Sequence, residues 1–196
     1  MGNRGGRFHR ADRTLGGRRW ASKQWIACVC QFKNRRRDVW GTSYTELFFL
    51  DEPTALAAGH RPCFECRRAD AEAFRRAWNP RTPPSAPEMD AALHGERLSE
   101  GRKRIYAAPV AALPDGAMIA RDGRAFAILG DLLLPWSFPG YGAPFPRPRH
   151  ETADVLTPRS IVAVLAAGYA PRWAATESSN GRQGGPAGST KSPLEN

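Results

Sequence analysis

The chain contains four cysteines, which fall into two close pairs, Cys28-x-Cys30 and Cys63-x-x-Cys66. Structural zinc sites use four tetrahedral ligands, and cysteine thiolates are among the commonest. A β-strand places residues i and i+2 on one face, so Cys28 and Cys30 can converge on one ion. A Cys-x-x-Cys turn supplies the other two ligands. The spacing therefore predicts a Zn²⁺ site formed by Cys28, Cys30, Cys63 and Cys66, with His60 as an alternative ligand in place of Cys30.

Two other interpretations of the cysteines are a redox Cys-x-x-Cys motif and ordinary buried thiols. A redox motif usually opens a helix after a strand in a thioredoxin-like βαβ pattern, which this sequence does not show. The zinc-deaminase signature shares Pro62-Cys63-x-x-Cys66 but also requires His-x-Glu upstream. The sequence has only His94-Gly95-Glu96, which lies downstream. Zinc binding is therefore favoured.

Short strands and helices surround the cysteines. Residues 25–32 are β-branched and aromatic, which is typical of a strand. Asp51 is a good N-cap and Gly59 a good stop signal for a short helix. The sequence therefore predicts two strands, at 25–32 and 44–50. It also predicts a short helix at 54–58, a turn at 61–66 and a longer helix at 67–78.

The rest of the chain is predicted to be mostly short strands. Residues 79–87 contain four prolines, which is typical of a linker. Asp122-Gly123 is a hairpin signal, and Thr157-Pro158 is a helix start. We therefore expect an α+β protein in which a small zinc module, made of a short β-sheet plus helices, is followed by a small β-rich module, with disordered termini. We expect a flexible basic arm at 1–19, the zinc module at 20–80 and a Pro-rich linker with a short helix at 81–104. The β-rich domain with a C-terminal helix follows at 105–175, and a disordered tail at 176–196.

The positive charge is concentrated near the N-terminus. The chain has 29 Lys and Arg against 19 Asp and Glu, and residues 1–40 hold eleven of the basic and two of the acidic residues. Arginine forks suit phosphate groups, although a solvated tail in an arginine-rich protein has the same composition. We expect nucleic acid as partner, DNA more than RNA. The predicted phosphate contacts are Arg35, Arg36, Arg37, Arg61, Arg67 and Arg68.

No apolar run is long enough to span a membrane. The basic N-terminus also lacks the apolar segment of a secretory signal. Four cysteines are too few for a disulfide scaffold of this length. These features predict a soluble, cytoplasmic protein with no membrane partner.

Residues 47–66 resemble the second half of the Ada-type metal-binding domain. Their sequence is Leu-Phe-Phe-Leu-Asp-Glu-Pro-Thr-Ala-Leu-Ala-Ala-Gly-His-Arg-Pro-Cys-Phe-Glu-Cys. It reproduces the family's aromatic strand, short Ala-rich helix and Ala-Gly-aromatic-Arg-Pro-Cys-x-x-Cys motif, except that His60 stands at the aromatic position. The resemblance covers about a tenth of the chain. It implies one zinc ion held by two cysteine pairs, with Cys63 and Cys66 as the second pair and Arg61 as the family's arginine.

In DNA-repair members of that family, a thiolate of the first pair accepts a methyl group from a DNA methylphosphotriester. The resemblance makes Cys28 the corresponding acceptor. The first pair here is Cys-x-Cys, where the family has Cys-x-x-x-Cys. The remainder shows neither a helix-turn-helix regulator nor an alkylguanine methyltransferase motif. Zinc-dependent nucleic-acid binding is therefore the leading expectation, with methyl transfer to Cys28 and a structural zinc module that binds another protein as alternatives.

Residues 105–175 show no familiar catalytic motif. Four aromatic residues lie close together there among prolines, namely Trp136, Phe138, Tyr141 and Phe145. They can form a stacking platform for a base or simply cover the core of a β-domain. The core interpretation is preferred.

Overall fold

The computed structural model describes residues 1–34 and 38–174 and has the mixed α+β fold predicted from the sequence. The predicted phosphate contacts Arg35, Arg36 and Arg37 and the predicted tail at 176–196 lie outside these residues. The described part of the chain contains four α-helices: α1 (Glu52–Ala57), α2 (Arg68–Trp78), α3 (Ala86–Arg97) and α4 (Arg159–Ala166). None of them is long and apolar enough to cross a membrane.

A small sheet brings the two cysteine pairs together. Its strands are β1 (Gly2–Asn3), β2 (Ile26–Ala27) and β3 (Arg61–Pro62). The first pairing is antiparallel, and β2 and β3 are parallel with Ala27 opposite Pro62. The next residues along the two parallel strands are Cys28 and Cys63, which therefore leave the sheet side by side.

The second half contains a six-stranded antiparallel sheet. Its strands are β6 (Tyr106–Pro109), β7 (Met118–Arg121), β8 (Arg124–Leu129), β9 (Leu132–Pro135), β10 (Phe145–Pro146) and β11 (Thr152–Val155), in the order β10-β9-β8-β7-β11-β6. A separate hairpin pairs β4 (Leu98–Ser99) with β5 (Arg102–Lys103). The Asp122-Gly123 turn is confirmed, because both residues have the positive φ angles (50° and 71°) of a tight hairpin.

The start and end of α1 agree with prediction, whereas Thr157 does not cap α4 but accepts a hydrogen bond from the Met118 N–H, and the strand extents also differ. Asp51 accepts a hydrogen bond from the Thr54 N–H at 3.0 Å, and Gly59 leaves α1 with φ of 80°. The strand predicted at 25–32 is only two residues long, and 44–50 contributes one bridge, between Leu47 and Gly2.

The two halves share one hydrophobic core rather than forming two separate modules. Leu56 and Phe74 from the first half are fully buried in the same cluster as Ile119 and Ile161 from the second. Helix α3, in the stretch predicted as a linker, contributes Met89 and Leu93 to this cluster. These two residues are one helical turn apart and so share a face. Residues 81–104 are therefore integrated into the core.

The N-terminal segment is packed over its first nine residues, in contrast to the flexible arm predicted at 1–19. Gly2 and Asn3 form β1, and the hydroxyl oxygen of Thr45 accepts hydrogen bonds from the backbone N–H groups of Phe8 and His9 at 2.9 and 3.0 Å. A Cβ on Gly2 would lie 2.6 Å from the Phe49 ring, so a larger residue there would force the ring or the strand to shift. Composition gave no sign of this backbone pairing.

Candidate metal centre

Three cysteines converge at the end of the small sheet. The sulfur atoms of Cys28, Cys63 and Cys66 all lie within 4.8 Å of one another. The parallel register of β2 and β3 positions the first two, and the backbone N–H of Cys63 donates to the carbonyl of Ala27 at 3.0 Å. Cys66 belongs to the turn between β3 and α2. The site is therefore built on paired backbone rather than on mobile loop ends.

The three sulfurs fit a thiophilic metal ion. Tetrahedral coordination with Zn–S bonds of about 2.3 Å separates the sulfurs by about 3.8 Å. Separations of up to 4.8 Å are brought to that value by small side-chain rotations. Three thiolates are a soft donor set, typical of zinc, copper(I) or iron–sulfur centres.

The cluster shares its protons unequally. A hydrogen bond from the Cys28 thiol, with help from the backbone N–H groups of Cys66 and Glu65, lowers the pKa of Cys63 to about 5. The Glu65 N–H lies 3.4 Å from the Cys63 sulfur. The hydrogen bond to Cys63 and burial raise the pKa of Cys28, and burial raises that of Cys66. One thiolate thus forms readily, and the other two need a cation to replace their protons.

Cys30 is not part of the cluster. It is exposed, and its sulfur lies 3.9 Å from the nitrogen of Met1. The prediction assumed a strand through Cys28 and Cys30, but β2 ends at Ala27, so the period-two argument does not apply. The structure brings together three of the four predicted thiolates.

His60, the alternative ligand, is also outside the cluster. It is fully buried, with its ring 4.8 Å from that of Phe49 and 5.3 Å from that of Trp25. Neither ring nitrogen has a hydrogen-bond partner among the described residues. Burial, together with nearby Arg4 and Arg97, lowers its pKa well below the ordinary value. His60 is a neutral packing residue.

The cluster borders a cleft with a volume of about 360 Å³. Cys28 and Cys30 line this cleft together with Glu52, Arg67 and Trp173. Of the three clustered cysteines, Cys28 is the one that lines it within the described part of the chain. A reactant can therefore approach the centre from the Cys28 side.

Two of the predicted phosphate contacts are not available to a phosphate. Arg61 is 2% exposed and donates two hydrogen bonds to Asp90, at 2.9 and 2.7 Å. Arg67 is buried between Glu52 and Asp70, at 2.8 and 2.9 Å. Both arginines serve the fold, in contrast to expectation.

Arg68 does face solvent, since its side chain is 76% exposed. It makes only a loose 4.0 Å ion pair with Glu72. Of the predicted phosphate contacts that the structure describes, it is the accessible one.

Two carboxylates that line the cleft, Asp51 and Glu52, bind residues from the far end of the chain. Glu52 accepts hydrogen bonds from the Tyr169 hydroxyl at 2.7 Å and from the Arg172 N–H at 2.9 Å. The Tyr141 hydroxyl donates to Asp51 at 2.9 Å. An acidic residue at a helix start gives no hint of partners 90 or more positions away. No local signal predicted these contacts.

The predicted aromatic group of the second half is divided in the structure. Phe145 packs against Phe126 at 5.6 Å, as part of the core boundary. Phe138 is 91% exposed and lies 5.1 Å from Trp136. The four aromatics therefore do not form one platform.

The chain was compared with protein-family models, curated proteins and solved structures, and none of them matches it. The resemblance to the Ada-type domain therefore depends on residues 47–66 alone and stays a prediction.

Proposed function

We propose that this is an Ada-like zinc protein in which Cys28, Cys63 and Cys66 hold Zn²⁺. The observation that carries the proposal is the convergence of three sulfurs within 4.8 Å on a parallel strand pair. Zn²⁺ supplies the positive charge that three adjacent thiolates require, and its ligands tie the end of β2 to the turn before α2. An exchangeable ligand such as water would complete the coordination of the ion.

Cobalt substitution tests the ligand set. Co²⁺ replaces Zn²⁺ in tetrahedral sites, and thiolate ligands give it charge-transfer absorption that grows with their number. We expect one Co²⁺ per chain with three-thiolate intensity, displaced stoichiometrically by Zn²⁺. Cys63→Ser is expected to remove the signal, with Cys30→Ser as matched control. Failure to bind Co²⁺ or Zn²⁺ would sink the proposal.

Nucleic-acid binding, DNA more than RNA, is the second part of the proposal. Among described residues, 1–34 hold eight basic residues and one acidic residue. Seven of these cations are exposed; Arg13 pairs with Asp38 and Lys33 lies over the Phe32 ring, which leaves Arg7, Arg10, Arg18, Arg19 and Lys23. Together with Arg68 they replace the buried Arg61 and Arg67 as the expected phosphate contacts.

The salt dependence of DNA binding tests this second part. When the logarithm of the DNA-binding constant is plotted against the logarithm of the salt concentration, each phosphate contact adds about −0.9 to the slope. The double variant Arg10→Gln with Arg18→Gln removes two of the proposed phosphate contacts. We expect its slope to be shallower by the amount that corresponds to about two contacts. Arg124→Gln, an exposed change on the other sheet, is the control. Absent binding would favour the structural zinc module instead.

Methyl transfer to Cys28 is a further candidate, favoured by the position of Cys28 on the cleft. The thiolate sulfur would form a bond to the methyl carbon while the carbon–oxygen bond to the phosphotriester breaks, leaving a phosphodiester anion. The test is exposure to methylphosphotriester DNA followed by peptide mass analysis. A gain of one methyl group on Cys28 supports transfer, and an unmodified thiolate with zinc bound contradicts it.

A further inference from the structure

A second cavity, separate from the cysteine cleft, lies where the N-terminal segment, the β4–β5 hairpin and the large sheet meet. Its volume is about 390 Å³, in the range of small-molecule sites. It shares no lining residue with the cysteine cleft among the described residues. The two cavities are therefore distinct, although helix α1 contributes residues to both.

One wall of this cavity is cationic. It contains Arg4, Arg19, Arg97 and Lys103, and no carboxylate lines the cavity in the described part of the chain. The two carboxylates whose charge acts on Arg97, those of Asp90 and Glu96, are bound to other groups. Asp90 is bound by Arg61, and Glu96 accepts from the hydroxyl and N–H of Ser160.

Two of these guanidinium groups flank one aromatic ring. The guanidinium carbons of Arg4 and Arg97 lie 3.9 and 4.6 Å from the ring centroid of Trp25. Arg97 is 2% exposed and donates from Nε to the carbonyl of Gly59 at 2.7 Å and from Nη1 to that of Lys23 at 2.8 Å. The arginines are therefore fixed in place before a ligand arrives.

Several donors around the cavity have no partner. The Nη2 of Arg97, the Nε of Arg4 and the Nε1 of Trp136 are all buried without a hydrogen-bond acceptor from residues 1–34 and 38–174. All three residues line the cavity. Buried polar groups in folded proteins are almost always paired, so this concentration points to an acceptor outside the described residues, such as a bound anion.

Burial and mutual repulsion lower the pKa values of three of these cations. Burial, with the charge of Arg19, lowers the pKa of Arg4 to about 10. Burial, partly opposed by Asp90 and reinforced by Arg61 and Arg4, lowers that of Arg97 to about 9. The ammonium of Lys103 donates to the Ala57 carbonyl, and burial there lowers its pKa to about 8. A bound anion would reverse all three shifts.

The other wall is apolar and partly aromatic. It is formed by residues of the second hydrophobic cluster, Ala57, Met118, Ala125, Trp136 and Leu156. A cavity with one cationic wall and one apolar wall fits a ligand that carries an anionic group on a flat apolar body.

We propose that this cavity binds a small aromatic phosphate of mononucleotide size, with the phosphate at Arg4, Arg97 and Lys103 and the ring against Trp136 and Met118. Charge-assisted hydrogen bonds to buried arginine account for the anion, and the apolar wall accounts for the ring. A free nucleotide and a 5′-terminal nucleotide of a strand share this chemistry.

Calorimetric titration of the full chain tests the proposal, with the four ribonucleoside monophosphates as probes. At least one should bind, and the matching nucleoside and inorganic phosphate should each bind roughly 10- to 100-fold more weakly. A 5′-phosphorylated trinucleotide separates the two sources. Tighter binding than the mononucleotide identifies a strand end, and equal or weaker binding identifies the free nucleotide.

Matched variants locate the site. Lys103→Gln and Arg19→Gln should each weaken nucleotide binding by roughly tenfold or more, whereas their respective controls Arg102→Gln and Arg124→Gln, at exposed arginines that do not line the cavity, should leave it unchanged. Zinc content should stay the same in all four. No nucleotide binding at millimolar concentration, equal affinity for nucleoside or for inorganic phosphate, or equal effects of the paired variants would each overturn the proposal.

Discussion

Removing one partner of the buried ion pair between Arg61 and Asp90 should be among the most destabilising single substitutions in the protein. The side chains are 2% and 8% exposed, and two hydrogen bonds of 2.9 and 2.7 Å join them. In Asp90→Ala the Arg61 guanidinium stays buried and loses both hydrogen bonds to Asp90, while its hydrogen bond to the Pro62 carbonyl, at 3.2 Å, remains. Removing one partner of such a pair costs about 3–5 kcal/mol in the free energy of unfolding.

For a chain of this size the loss corresponds to a Tm decrease of roughly 6–20 °C. Urea denaturation followed by circular dichroism measures it directly. The matched control is Glu72→Ala, which removes a more exposed pair with Arg75 and should cost about 0–1 kcal/mol. Replacing both buried partners, Arg61→Met with Asp90→Leu, should be less destabilising than Asp90→Ala alone. Equal losses for Asp90→Ala and Glu72→Ala would refute the reasoning.

Two other predictions concern the small sheet and its cysteines. Gly2→Ala should destabilise the fold by about 1–3 kcal/mol, because the new Cβ would lie 2.6 Å from Phe49; thermal unfolding that matches wild type would contradict the packing. At pH 7, Zn²⁺ binding should release about two protons per ion, because Cys63, with a pKa of about 5, is already a thiolate while Cys28 and Cys66 are protonated. Zinc affinity should therefore fall as the pH falls. Calorimetric titration in buffers of different ionisation enthalpy counts the protons released on zinc binding. Release of three protons per ion at pH 7 would be inconsistent with the cluster.

Features fixed by neighbouring residues were predictable from the sequence. The Asp51 cap, the Gly59 stop and the Asp122-Gly123 turn depend on backbone preferences within a few positions. The pair Cys63 and Cys66 lies within one turn, so its convergence also followed from spacing. These predictions needed no knowledge of distant contacts.

Features that depend on distant pairing were not predictable. Strands β2 and β3 are two residues each, too short for any alternation, and their parallel register decides that Cys28 rather than Cys30 meets Cys63. The packing of Gly2 against residues 26–27 and 47 was hidden in a Gly- and Arg-rich segment. A Gly- and Arg-rich composition is typical of a flexible segment, and it does not indicate which backbone groups form hydrogen bonds with distant residues.

Charge was the least reliable guide to function. Arg61 was expected at a phosphate, yet its partner Asp90 lies 29 residues later on α3. Arg97 lies outside the basic N-terminal segment, yet it is a buried cation facing a cavity with no carboxylate in its described lining. The sequence gives the sign of each charge, while burial and pairing decide what that charge can contact.

Zinc retention by single cysteine variants tests the central claim most directly. Native mass spectrometry of the wild type and of four separate Cys→Ser variants gives the number of ions per chain. The account predicts one zinc in the wild type and in Cys30→Ser, and loss of zinc in Cys28→Ser, Cys63→Ser and Cys66→Ser. Zinc loss in Cys30→Ser equal to that in Cys63→Ser, or a wild type without zinc, would contradict the three-thiolate centre.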